Sequence, residues 1–156
     1  MTARRASDPA LRTVRAVACV GMAALGLLGA PGVSAHSYEK GAIKVGHLWS
    51  PPDAQAVRVY GPIVNDGDAA IRLVGASSPA AGAVRLERGE NGSFDSVAEV
   101  EVPPGGVYAM AAWRAHLRLV DVAERPEAGQ PFPLTLRFAS GATMQVTVIV
   151  ESASGH

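Results

Sequence analysis

LTLRF, Leu134 to Phe138, and MQVTVIV, Met144 to Val150, set the period of this chain. Apolar residues alternate with polar ones, the two-residue repeat of a strand with one face buried. Further short apolar blocks read the same way: Ile43 to His47, Val57 to Asn65, Ile71 to Ala76 and Val84 to Leu86. Val97 to Val102, Val107 to Ala112 and His116 to Val122 follow them. Between the blocks stand turn formers. Asn65-Asp66-Gly67-Asp68 and Glu90-Asn91-Gly92 supply the positive-φ residues of tight hairpins, and Pro103-Pro104-Gly105-Gly106 is another sharp break. Beyond the first thirty residues no stretch of ten or more shows a helical period. Short strands at this spacing predict an all-β domain, an antiparallel sandwich or barrel.

The N-terminal segment reads as an address. Arg4, Arg5, Arg12 and Arg15 precede an uncharged apolar run, Ala16 to Gly29, and Val33-Ser34-Ala35 has the small-residue pattern of a signal peptidase site. The run is shorter than the roughly 20 residues a membrane-spanning helix needs. Cys19 stands at the start of the run, and Ala16-Val17-Ala18 before it make a poor lipobox. Residues 1–35 are therefore expected to be a cleavable signal peptide, and the protein to be periplasmic without stable membrane insertion. Residues 36–151 form one domain and 152–156 a short tail.

After cleavage the chain carries 10 basic and 13 acidic residues, a formal net charge of −3. With no basic stripe and no cluster of aromatics, a nucleic-acid partner is not expected. The one cysteine leaves with the signal, taking with it any disulfide, thiolate metal site or cysteine nucleophile. No G-x-S-x-G turn, H-E-x-x-H helix or phosphate-binding glycine loop occurs, so no enzyme is expected.

Three segments, GAIKVGHLW (Gly41 to Trp49), IRLVGASSPAAG (Ile71 to Gly82) and PFPLTLRF (Pro131 to Phe138), resemble the periplasmic copper chaperone family PCu(A)C. The resemblance runs from about His36 to Val150. It implies a cupredoxin-like antiparallel Greek-key β-sandwich, copper as the metal, and a copper-accepting membrane oxidase or assembly protein as partner. The family binds copper with a His, a Met about ten residues later, and a His-x-Met pair, soft and borderline donors suited to Cu(I). Ala115-His116-Leu117-Arg118-Leu119 falls on that pair, so His116 matches the second histidine and Arg118 replaces the methionine. Glu87 replaces the first histidine, and no methionine occurs between Leu86 and Val107.

One family ligand in four therefore survives. A guanidinium carries a fixed positive charge and donates no lone pair to a metal. Glu87 and Arg118 are candidates for an ion pair across the end of the sandwich; the other reading has Glu87 and His116 bind Cu(II) or Zn(II). Cleavage after Ala35 makes His36 the new N-terminus, placing an α-amine and an imidazole on one residue, a chelate suited to Cu(II). His47 is the third candidate ligand if the first strand folds back; otherwise it is a strand residue near Trp49. Met110 and Met144 sit in strand patterns and read as core. A metal-free sandwich that binds a protein partner is the alternative function.

Overall fold

In this computed structural model the described residues are 37–52, 55–90 and 92–151. The expected signal peptide, His36 and the tail with His156 lie outside them. Thirteen strands form: β1 Tyr38–Lys40, β2 Ile43–Val45, β3 Leu48–Ser50, β4 Arg58–Val59, β5 Gly61–Asn65, β6 Ile71–Ser77 and β7 Ala83–Glu90. They continue with β8 Ser93–Ser96, β9 Val100–Val102, β10 Val107–Met110, β11 Ala115–Val120, β12 Pro131–Phe138 and β13 Thr143–Val150.

One sheet has the order β1-β2-β5-β10. The other runs β3-β13-β12-β6-β7-β11-β4, with β8 attached to β7 and β9 to β6. The neighbours β12-β6-β7-β11 form a Greek key, because the fourth strand in sequence returns to lie beside the first. The expected cupredoxin-like Greek-key sandwich is the fold. Its pairing is antiparallel with one departure, since β3 lies parallel to β13.

The alternation seen in sequence is the alternation of burial. Leu134, Leu136 and Phe138 of β12 and Met144, Val146, Val148 and Val150 of β13 all point into one core. Leu117 and Leu119 of β11 and Ile63 of β5 meet them there. Met110 and Met144, 5% and 6% exposed, are core residues as the pattern implied.

Where the chain departs from expectation, it changes sheet. The run Val57 to Asn65 is two strands, β4 in the large sheet and β5 in the small one, with the switch at Gly61. The adjacent run Ile43 to His47 switches beside it: β2 ends at Val45, and β3 begins the other sheet at Leu48. The two crossings are tied together by reciprocal Trp49–Tyr60 backbone hydrogen bonds and by Gly46 N–H donating to the Pro62 carbonyl. Such bends form the corners of a sandwich. β7 and β8 pair as a hairpin, with Glu90 opposite Ser93 and Gly92 at φ +86°.

Asn65-Asp66-Gly67-Asp68 is no hairpin. It carries the chain from β5 in one sheet to β6 in the other. Asn65, completely buried, is the reason this crossing holds. Its Nδ2 lies within 2.8–3.1 Å of the carbonyl oxygens of Ala69, Val102 and Pro103, and its Oδ1 accepts from Gly67 N–H. A side chain that ties two sheet crossings together leaves several buried polar groups bare when removed. Asn65→Ala is expected to destabilise by about 2–3 kcal/mol. Urea denaturation checks this, and a loss below that of an exposed Asp68→Ala would show the network to be incidental.

Candidate metal centre

The register of β7 against β11 assembles the site. His116 faces Glu87 directly, Leu117 faces Leu86, and Arg118 faces Arg85. Leu86 and Leu117 point into the core, so Glu87, His116 and Arg118 share the outer face of the large sheet. His116 Nε2 lies 2.9 Å from Glu87 Oε2, and Arg118 Nη1 lies 3.6 Å from Glu87 Oε1. The Glu87–Arg118 ion pair thus forms along neighbouring strands of one sheet, diagonally, rather than across the end of the sandwich. Glu87 holds His116 more closely than it holds Arg118.

His116 lies on an outer face yet its side chain has no solvent exposure. The cover comes from β8. Phe94 stands opposite Gly89, and its ring centroid is 4.6 Å from that of His116. A Cβ at position 89 would fall 2.6 Å from Phe94 Cε1, so the bare glycine is what lets the ring lie down. Tyr60 closes another side at 5.9 Å and is itself packed against Trp49 at 4.9 Å. Desolvation raises the Tyr60 hydroxyl above its ordinary pKa, although Arg58 beside it pulls the other way.

Burial pushes the His116 pKa below its usual value, against the hydrogen bond and charge of Glu87, while Arg58 and Arg118 add to the depression. At neutral pH the imidazole is uncharged, so its contact with Glu87 is a hydrogen bond from Nε2–H to a carboxylate. The remaining nitrogen, Nδ1, is then a bare lone pair, buried and without a hydrogen-bond partner. A carboxylate that fixes the tautomer and leaves the other nitrogen free is the arrangement of an oriented metal-binding imidazole.

The rest of a metal site is not assembled around it. Among the described residues no three His, Cys, Asp or Glu side chains come together in a way that could hold a metal ion. His47 is exposed in the link between β2 and β3 rather than placed in a strand. Sequence reasoning identified Glu87, His116 and Arg118 but missed Phe94, Gly89 and Tyr60. The signal for Phe94 was its position two residues beyond Gly92, where β8 folds back onto β7.

The depressed His116 pKa gives a pH dependence of definite sign. Above the unfolded value near 6.5 the ring is neutral in both states. As pH falls below it, the unfolded chain takes up the proton first, so stability is lost down to the folded-state pKa. The loss in stability between pH 7.5 and pH 5 is therefore expected to be larger for the native chain than for His116→Gln. Urea denaturation at the two values measures it, and parallel curves would mean that His116 titrates normally.

Comparison with known proteins fits this geometry. Residues 42–150 match the LpqE-like family, described as "Putative lipoprotein LpqE-like". "Putative lipoprotein Lxx21020" of Leifsonia xyli subsp. xyli (strain CTCB07) is 27% identical over 158 residues, covering 92% of this chain and 95% of that protein. Among solved structures, the copper-bound PCuAC domain from PmoF2 superposes with a TM-score of 0.67 at 25% identity, covering 75% of this chain and 98% of that domain. The apo PCuAC domain from PmoF1 gives the same score and identity, covering 75% and 99%. The chain belongs to the LpqE-like family, built on the fold of the PCuAC copper domains.

Proposed function

We propose that this protein is an exported copper-handling protein of the chaperone type, in which the family's own ligand set is reduced to one imidazole, that of His116. The observation that carries the reading is the fold, shared with a copper-bound PCuAC domain; the bare, buried Nδ1 of His116, beside Glu87, is what remains of the family's own site. Copper is here a cargo, and the residues present suit it poorly as Cu(I). The family's thioethers are absent from the site, Met110 and Met144 are in the core, and Arg118 places a positive charge beside Glu87. Cu(II) is the better-matched ion. The α-amine and imidazole of His36 are its main ligands after cleavage behind Ala35, with His47 the candidate third nitrogen and His116 contributing little.

Export rests on the signal pattern of residues 1–35 and on relatives named as lipoproteins. In this chain the single cysteine stands at the start of the apolar run rather than at its end, so we place the cleaved protein in the periplasm without a lipid anchor. A respiratory oxidase or its assembly protein is the proposed recipient, on the family resemblance.

The test is metal titration of the exported protein, of His116→Ala, and of a variant with one alanine inserted before His36. Competition with a Cu(I) chelator should show weak Cu(I) binding. Cu(II) affinity should fall steeply in the insertion variant and little in His116→Ala. Tight one-to-one Cu(I) binding, or Cu(II) loss confined to His116→Ala, overturns this assignment. The absence of any copper binding would favour the second reading, a metal-free sandwich that docks on a protein. One observation supports that reading: Trp113, three residues before His116, is 82% exposed.

A further inference from the structure

A line of arginines crosses the outer face of the large sheet. Arg58 of β4 faces Arg118 of β11, and Arg118 faces Arg85 of β7. The alternate residues Val59, Leu117 and Leu86 are in the core, so all three arginines point outward. Like charges directly opposite one another on neighbouring strands are unfavourable. Among the described residues one carboxylate, Glu87, is in ion-pair contact with this line, and it is shared between Arg118 and His116.

The line continues past β7. Val84 pairs with Ala76, which sets Gly75 of β6 beside Arg85 and, on its far side, opposite Arg137 of β12. Gly75 has no side chain, and the Arg137 guanidinium fills the space. A Cβ at position 75 would lie 2.7 Å from Arg137 Nη2 and 3.4 Å from its Cζ. Arg137 thus leans across β6 toward Arg85, although like charges should spread apart.

Beside Gly75 the sheet opens, because β6 and β7 meet at the single pair Ala76–Val84 before β9 takes β6 and β8 takes β7. The opening is a groove of about 440 Å³. Arg85 and Arg137 line it together, with Gly75 as floor, Val74 and Val84 as apolar wall and the Ser96 side chain at its rim. Among the described residues no carboxylate lines it. Among the described residues no ion pair engages Arg85 or Arg137, and Glu99 nearby on the β9 side is held by Arg72 at 3.5 Å.

We propose that this groove is a binding site for a phosphate-type oxyanion, held between the guanidinium forks of Arg85 and Arg137 over Gly75, with Arg118 adding positive potential. Two planar forks on strands about 10 Å apart, one leaning inward, suit a tetrahedral anion with oxygens on opposite sides. A planar carboxylate would satisfy one fork and leave the other. The phosphate can come from a soluble diphosphate or from an anionic phospholipid headgroup resting on the apolar wall. The site is separate from the copper question, since it uses neither His36 nor His116.

Two probes distinguish the sources: pyrophosphate, followed by calorimetry and by the arginine Nε–H resonances, and phosphatidylglycerol vesicles compared with phosphatidylcholine vesicles by co-sedimentation. Saturable pyrophosphate binding that falls at least tenfold in Arg85→Gln and in Arg137→Gln establishes the site for soluble phosphate. Vesicle binding alone, with the same losses, establishes it for a lipid headgroup. Gly75→Ala keeps both charges but displaces the flexible end of Arg137, and it should weaken binding with the melting temperature little changed. Arg72→Gln, on the same strand and paired to Glu99, is the control for general charge. No saturable binding of either probe, or equal losses in Arg72→Gln and Arg137→Gln, overturns the proposal.

Discussion

Gly61→Ala is expected to lower the melting temperature by about 15 °C. At φ +134° the residue occupies backbone space that side chains rarely enter. An added Cβ would sit 2.5 Å from the His47 carbonyl oxygen and 2.6 Å from Leu48 Cδ2. The first of those atoms is backbone in the neighbouring crossing, so it cannot step aside alone. Backbone strain and overpacking together cost about 4 kcal/mol. That is a large share of the 5–15 kcal/mol that about holds a domain of this kind together. At about 4 °C per kcal/mol for a domain of this length, the shift follows. Gly141→Ala is the comparison, with φ +81° but no atom within 4 Å of the new Cβ. Its cost is the conformational part alone. Equal melting temperatures for the two variants would show that the corner at Gly61 relaxes freely, and that the double crossing does not depend on it.

That corner also shows where a period-two reading stops. Apolar residues recur through Val57 to Asn65 on both sides of Gly61, so the stretch reads as one strand. Burial continues on both sides of Gly61 because the chain passes from one wall of the core to the other. Alternation records which residues face the core and says nothing about which sheet they face it from. The glycine was the visible mark, and its meaning came from contact with residues 47 and 48. The Asn65-Asp66-Gly67-Asp68 segment misled for a related reason. Its composition suits a tight turn, but Asn65 spends its amide on carbonyls 37 and 38 residues away.

Strands whose two faces are both polar escaped for a different cause. Tyr38–Lys40 and Ser93–Ser96 are short, edge-lying and mostly exposed, so they carry no alternation to detect. The second of these decides the character of the site. Glu87, His116 and Arg118 were legible by aligning residues with a family pattern, and their order along β7 and β11 followed. That His116 is sealed beneath Phe94 was not legible, since it depends on a hairpin folding an exposed strand onto Gly89. The seal changes the chemistry: an exposed histidine would titrate near 6.5, whereas this one is held neutral with one nitrogen open.

The largest expected change in metal affinity comes from rebuilding that site. The double variant Glu87→His and Arg118→Met places two imidazoles opposite each other on β7 and β11, with a thioether one pleat further along. Position 118 is within reach of the same point, because the present Arg118 Nη1 is 3.6 Å from Glu87 Oε1. Three changes act together: a fixed positive charge goes, a soft donor arrives, and a second nitrogen replaces a hard carboxylate. Cu(I) affinity should rise by about a hundredfold or more, equivalent to about 2.8 kcal/mol. Arg118→Met alone should give a smaller gain, since the second imidazole is still missing. Adding His116→Ala to the double variant should abolish the gain, which separates binding here from binding elsewhere on the chain. If the double variant holds Cu(I) no better than the native protein, with its fold intact by circular dichroism, the register has not preserved a metal-binding geometry. Phe94 would then be the element to remove next, because its ring closes the space in which a fourth ligand and an incoming ion would have to stand.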